Sequence, residues 1–192
     1  LIGACAPEPD PAEVPAWLGA IEDPLVLVTT SSIRQADTEL GIAALSGLAG
    51  LPVHVVATFP AGVPAGLEIP PNATVARFVP HGPVLDRAVC AVTHGGMGAT
   101  VRALARGVPV CVVPFGRDQH EVAMRVEVAG CGTRLPARRL TPANLRDSVT
   151  AAMAMAAGAR RVAAGFAATG GVVRGAALIE QRLLGLHARH TV

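Results

Sequence analysis

Three glycines within four residues, Gly95, Gly96 and Gly98, constrain this chain more than any other feature. They follow a short apolar run at residues 88–92 and precede an alanine-rich segment, which reads as strand, turn and helix. Such a turn lets main-chain N–H groups approach a ligand, and the helix behind it aims its positive end at the same point. The chemistry this suits is anion binding, most simply a phosphate or diphosphate. His94, at the tip of the strand, adds a donor of tunable charge. A second apolar strand at residues 110–113 leads to a polar loop with Asp118 and Gln119, which open the next helix. Ligands of open parallel α/β sheets lie beyond the carboxyl ends of the strands, so both side chains can face the same crevice. A carboxylate beside an amide suits sugar hydroxyls. Glycine-rich turns also serve only to tighten packing in many α/β domains, and a single histidine before a turn is compatible with a structural role.

The rest of the chain supplies the frame. Residues 1–24 hold Pro7, Pro9, Pro11, Pro15 and Pro24, with acidic residues and the only tryptophan, Trp17. They read as an extended linker pinned by that indole. The domain proper is expected over residues 25–192. Its first buried strand is residues 25–28, followed by the hydroxyl-rich turn Thr29, Thr30, Ser31 and Ser32, for which helix capping is the plain explanation. Leu40, Ala44, Leu45 and Leu48 fall at helical spacing on residues 36–49, and residues 53–58 form a second strand. Residues 59–72, rich in Pro and Gly, are too irregular for an element; residues 73–79 are a third strand. Beyond Gln119 a helix at 121–130 turns Val122, Val126 and Ala129 inward, and a short strand reaches Leu135. Thr141 as cap and Pro142 as first helical residue start a helix to about residue 156. The tail, 162–166 and 172–184, is a pair of helices. Strands alternating with helices predict an α/β fold, a doubly wound parallel, Rossmann-like sheet of about six strands with right-handed crossovers.

A second informative stretch lies at the end of the third strand, Phe78-Val79-Pro80-His81. An aromatic, an apolar residue with its main chain, a proline and a planar polar side chain would let a flat base stack and hydrogen-bond. A strand end with a proline-induced turn accounts for the composition equally well.

Taken together, H-G-G-x-G-x-T from His94, G-V-P from Gly107 and P-x-x-x-D-Q from Pro114 resemble the donor-site signature of family 1 glycosyltransferases of the two-domain GT-B type, in particular bacterial macrolide and antibiotic glycosyltransferases. The resemblance runs from about residue 24 to residue 184. It implies the C-terminal, donor-binding half of an enzyme that transfers a hexose or deoxyhexose, with inversion, from a UDP- or dTDP-sugar to a hydroxyl of a small, hydrophobic acceptor. By the same resemblance, His94 and the amides around Gly95, Gly96 and Gly98 hold the diphosphate and Thr100 adds a hydroxyl. Ser32 matches a hydroxyl residue that reaches the donor, and Asp118 with Gln119 grips the sugar. Phe78 stands for the family's Trp and His81 for its Gln in the base-binding pattern, with Val79 between them; base stacking survives that change. Ala99 replaces a frequent Ser or Thr. Arg102 stands where uridine-using enzymes often have a ribose-binding Glu, which admits a thymidine donor or an altered ribose grip. The catalytic base, a His of the family's N-terminal acceptor domain, is not expected in this chain. A start at Leu1 without Met fits an excised domain or half of a split enzyme. The alternatives are a non-catalytic nucleotide-binding or partner module, and a GT-B relative of different chemistry.

Composition excludes other classes. All 16 basic residues are Arg, so a Walker-type loop with its Lys is ruled out, and a net charge of +2 with scattered Arg leaves no nucleic-acid or polybasic membrane footprint. Cys5, Cys90, Cys111 and Cys131 lack metal-binding spacing and read as small core residues of a reduced, cytoplasmic protein. Neither a metal nor a cofactor is expected, since the family needs no metal and the chain has no Asp-x-Asp pair. No apolar run of membrane-spanning length is evident in the sequence.

Overall fold

The computed structural model describes residues 2–4, 14–32 and 37–183. Six strands, β1 (Leu25–Thr29), β2 (His54–Thr58), β3 (Ala73–Ala76), β4 (Ala88–Thr93), β5 (Val110–Val112) and β6 (Gly132–Arg134), form one sheet in the order β3-β2-β1-β4-β5-β6. All five pairings are parallel. The chain therefore winds outward from β1 in one direction, returns, and winds outward from β4 in the other. This is the doubly wound sheet expected from the order of apolar runs.

Period-two alternation decides which helices each strand residue meets. On β1, Val26 and Val28 enter one core with Leu40, Leu45 and Leu48 of α2 (Thr38–Leu48) and Leu145 and Val149 of α6 (Pro142–Met153). Leu25 and Leu27 enter the opposite core, with Val84 of α3 (His81–Leu85), Leu104 of α4 (Met97–Ala105), Val126 of α5 (Gln119–Val128) and Ala159 of α7 (Ala156–Ala167). Every residue of β1 is buried, as a central strand covered on both faces requires. Thr141 caps α6 as read from the sequence, its hydroxyl accepting from the Asn144 amide at 3.2 Å.

Four features differ from the sequence reading. The third strand stops at Ala76 instead of residue 79, because its partner β2 ends at Thr58, which pairs with Ala76. Pro80 then leads into the short helix α3 where a turn was expected. Within residues 14–24 the chain is not simply extended: α1 (Ala16–Gly19) buries Leu18, Trp17 packs beside it, and Arg87 donates to the carbonyls of Leu18 and Ile21. Finally, Ala156–Arg182 is long and apolar enough to cross a membrane by length and composition alone. Positive φ at Gly170 (83°) and Gly171 (55°) breaks it into α7 and α8 (Gly171–Leu183), of 12 and 13 residues. Each is shorter than the roughly 20 residues that a span needs.

Candidate functional site

The switch point lies between β1 and β4, whose last residues Thr29 and Thr93 are register partners. The chain leaves β1 toward the face of α2 and leaves β4 toward the face of α4, so a crevice opens between the two departing loops. His94 is the first residue after β4, and its side chain is only 13% exposed. Its Nδ1 lies 3.5 Å from Oδ2 of Asp37, a carboxylate buried at the start of α2. Asp37 also accepts the amide of Ser31 at 2.5 Å, so the oxygen that faces His94 is anchored within its own loop after β1. Sequence reading passed over Asp37; a carboxylate just before a helix looks like an ordinary cap, and yet its side chain caps nothing in α2.

The glycines divide by role. Gly95 has φ 92°, its amide is held by the Thr93 hydroxyl at 3.1 Å, and a Cβ there would sit 2.9 Å from Val112 Cγ1. Gly96 lies under the His94 ring, with Nε2 only 2.6 Å from where its Cβ would stand. Gly98 faces open space, with nothing within 4 Å. Gly96 is the N-cap of α4 and no side chain caps that helix, so the amides of its first turn are left to the crevice. Thr100 is 1% exposed and its hydroxyl is buried without a hydrogen-bond partner.

The other expected residues fall on either side of this turn. Ser32 is exposed in the loop after β1; residues 33–36 of that loop are outside the described residues. Phe78 presents its ring to solvent at 68% exposure beyond β3, Val79 is buried, and His81 Nε2 is 3.4 Å from the hydroxyl of Thr58 at the end of β2. Asp118 is exposed at the N-cap of α5, and Arg117 before it has a left-handed backbone, φ 55°. Gln119 is buried, and its Oε1 accepts from the amides of Phe115 at 2.8 Å and Gly116 at 3.1 Å. Its carbonyl is thus spent on the loop, which sequence spacing did not reveal. A groove of about 710 Å³ between α4 and α5 begins at Met97, Gly98 and Asp118 and continues along Leu104, Val122 and Val126.

Of the remaining histidines, His54 opens β2 at the sheet's other edge, bonded to Thr74 at 2.9 Å, and His120 is exposed in α5. His187 and His190 lie outside the described residues, as does Cys5. Cys90, Cys111 and Cys131 are free and buried, and burial raises all three thiols, Cys111 to about 11. Among the described residues no group of three metal-ligating side chains is assembled.

Burial pushes the His94 pKa below its usual 6.5, opposed by Asp37, the Thr29 backbone and Asp118; His54 is lowered by burial as well. Both imidazoles are therefore kept neutral in the fold more than in the unfolded chain. As pH falls through about 6.5 the unfolded chain takes up protons first, so stability declines on acidification. Thermal melting should begin earlier at pH 5.5 than at pH 7.5, a range above the carboxylates, and His94→Gln should reduce the difference. An unchanged pH dependence in that variant would assign the effect elsewhere.

An open parallel sheet wound outward in both directions from its switch point defines a Rossmann-like α/β domain. More narrowly, the chain belongs to the family described as erythromycin biosynthesis protein CIII-like, C-terminal domain, whose profile matches residues 43–171. It is 38% identical over 151 residues to 4'-demethylrebeccamycin synthase of Lentzea aerocolonigenes, covering 77% of this chain and 35% of that protein. It is 33% identical over 144 residues to 3-alpha-mycarosylerythronolide B desosaminyl transferase of Saccharopolyspora erythraea, covering 72% and 34%. Among solved structures it superposes on the glycotransferase of kitacinnamycin with TM-score 0.80 and 32% identity, covering 95% of this chain and 49% of that one. The glycosyltransferase VinC in complex with dTDP gives TM-score 0.75 and 27% identity, over 89% and 44%. The chain spans about a third of the curated relatives it matches, and its fold is the C-terminal half of the GT-B architecture.

Proposed function

We propose that this chain is the donor-binding half of an inverting glycosyltransferase that moves a hexose or deoxyhexose from a UDP- or dTDP-sugar to a hydroxyl of a small, hydrophobic acceptor. The observation that carries the reading is the order of features along the carboxyl edge of the sheet. Phe78 and His81 follow β3, the His94 and glycine turn follows β4, and Asp118 follows β5. With strands spaced about 4.8 Å apart, the aromatic and the turn lie on the order of 14 Å apart, which suits a nucleoside diphosphate laid across the edge. The base would stack on Phe78, the diphosphate would meet the α4 amides and His94, and the sugar would reach Asp118.

Inverting transfer needs stabilisation of the leaving diphosphate and a base for the acceptor hydroxyl. The uncapped first turn of α4 and His94 supply the first, by partial positive charge and a tunable donor. The base and the acceptor pocket are assigned to an N-terminal domain of the complete enzyme. The names of the curated relatives, a synthase and a desosaminyl transferase of antibiotic pathways, support the acceptor class. The dTDP complex of VinC and Arg102 in place of a ribose-binding Glu favour thymidine donors.

Titration calorimetry of UDP and dTDP tests the reading. Binding is expected with dTDP at least as tight as UDP, weakened about tenfold or more by His94→Ala, since a hydrogen bond involving a charged group contributes about 1.5–3 kcal/mol. Affinity unchanged in His94→Ala would remove the diphosphate from this turn.

A further inference from the structure

The Asp37 carboxylate is almost fully buried, 2% exposed, and is shared between the Ser31 amide at 2.5 Å and His94 Nδ1 at 3.5 Å. A buried carboxylate is costly unless it meets donors, and the nearest ring nitrogen stands just outside hydrogen-bonding range. On the other side of the same ring, Nε2 overhangs Gly96 at the uncapped start of α4. The imidazole thus lies between a fixed anion and the place where the donor's anion is proposed to bind. We infer that Asp37 is a positioning residue: it orients His94 with Nδ1 toward itself and Nε2 toward the diphosphate, and it stabilises the imidazolium that forms when the donor binds.

The inference rests on the donor reading above. A neutral ring that directs its Nδ1–H at Asp37 has a bare Nε2, which a phosphate would repel. Binding therefore brings one proton from solvent onto Nε2, and the cation then donates to Asp37 on one side and to a phosphate oxygen on the other. Among the described residues the Thr29 backbone, by a hydrogen bond, and the Asp118 carboxylate, by its charge, also favour the cation, while burial keeps the ring neutral before the donor arrives. The bond from the Ser31 amide fixes Asp37 within the loop after β1, and the approach of the same oxygen to His94 is what crosses the switch point to the loop after β4.

The test uses the 192-residue chain and dTDP, titrated calorimetrically at pH 7.5 in two buffers of different ionisation enthalpy. Wild type should take up close to one proton on binding. Asp37→Asn keeps an oxygen for the Ser31 amide but removes the charge; proton uptake should fall by more than half and affinity by about five- to tenfold. In a His94→Ala background the same change should alter affinity by less than about twofold. Equal losses in both backgrounds, or undiminished proton uptake in Asp37→Asn, would overturn the inference and leave Asp37 a loop anchor. Nitrogen-15 spectra of ligand-free wild type should have His94 in the Nδ1–H form, and the opposite tautomer would overturn it as well. If wild type binds neither dTDP nor UDP, the donor reading fails and takes this inference with it, an outcome distinct from binding that ignores Asp37.

Discussion

Gly95→Ala and Gly98→Ala, three residues apart in one turn, are expected to fail in opposite ways. At position 95 the backbone has φ 92°, and a methyl group would stand 2.9 Å from Val112 Cγ1 and 3.2 Å from the Gln119 carbonyl. A left-handed backbone costs an L-residue about 1–2 kcal/mol and overpacking about 1–3, so a loss near 2–4 kcal/mol is expected. For a domain of this size that lowers the melting temperature by roughly 5–15 °C. Position 98 is helical and open, with nothing within 4 Å, so alanine there should leave stability unchanged or raise it by up to about 1 kcal/mol. Its methyl group would instead occupy the space in front of the α4 amides, and dTDP affinity should fall about tenfold or more, as when a charge-assisted contact is lost. Melting curves and calorimetry on both variants decide it. Undiminished affinity in a stable Gly98→Ala protein would mean that the ligand does not lie against this helix end.

That contrast also marks the border of what the sequence reveals. Strands β1, β2, β4 and β5 were legible because each is a short, mainly apolar run between glycine, proline or polar turns, and burial on both faces demands such runs. The glycine turn was legible as a turn, while the division of labour within it was not. Gly95 is required by the approach of β5 and α5 in space, which no local pattern encodes. Strand β3 was overread because residues 77–79 have strand-like composition, whereas its length is set by where β2 stops. Asp37 was missed for a related reason: His94 lies 57 positions away, and only the winding of the sheet brings the two together. Phe78 stood out in sequence and stands out in space, as an aromatic left 68% exposed just beyond the end of β3.

Asp118 and Gln119 entered as one sugar-binding pair, and their environments now separate them. Asp118 is exposed at the start of α5, beyond β5 and thus on the far side of the glycine turn from Phe78. The Arg117 backbone, at φ 55°, makes the turn that brings it there. Gln119 is buried and accepts two amides of the preceding loop, from Phe115 and Gly116. Removing its side chain leaves those donors unmatched, at about 1–3 kcal/mol for a buried group. Gln119→Ala should therefore lower the melting temperature and, by loosening the loop that carries Asp118, weaken every ligand that touches it. Asp118→Ala should leave stability nearly unchanged and weaken a nucleotide sugar while sparing bare dTDP. Loss of a negative charge near His94, on which Asp118 acts electrostatically, would alter bare dTDP only in the direction set by two opposed effects. Asp118 repels the diphosphate directly and favours the His94 cation that attracts it, so a small net change is expected. The sugar has no such cancellation, because a carboxylate that accepts its hydroxyls has no substitute in alanine. In the complete enzyme the same change should cost turnover more than binding if the grip tightens as the glycosidic bond breaks. Titrating dTDP and a dTDP-sugar into wild type, Asp118→Ala and Gln119→Ala separates the roles: equal losses for both ligands in a stable Asp118→Ala protein would reduce Asp118 to a shaper of the loop and remove it from the sugar site.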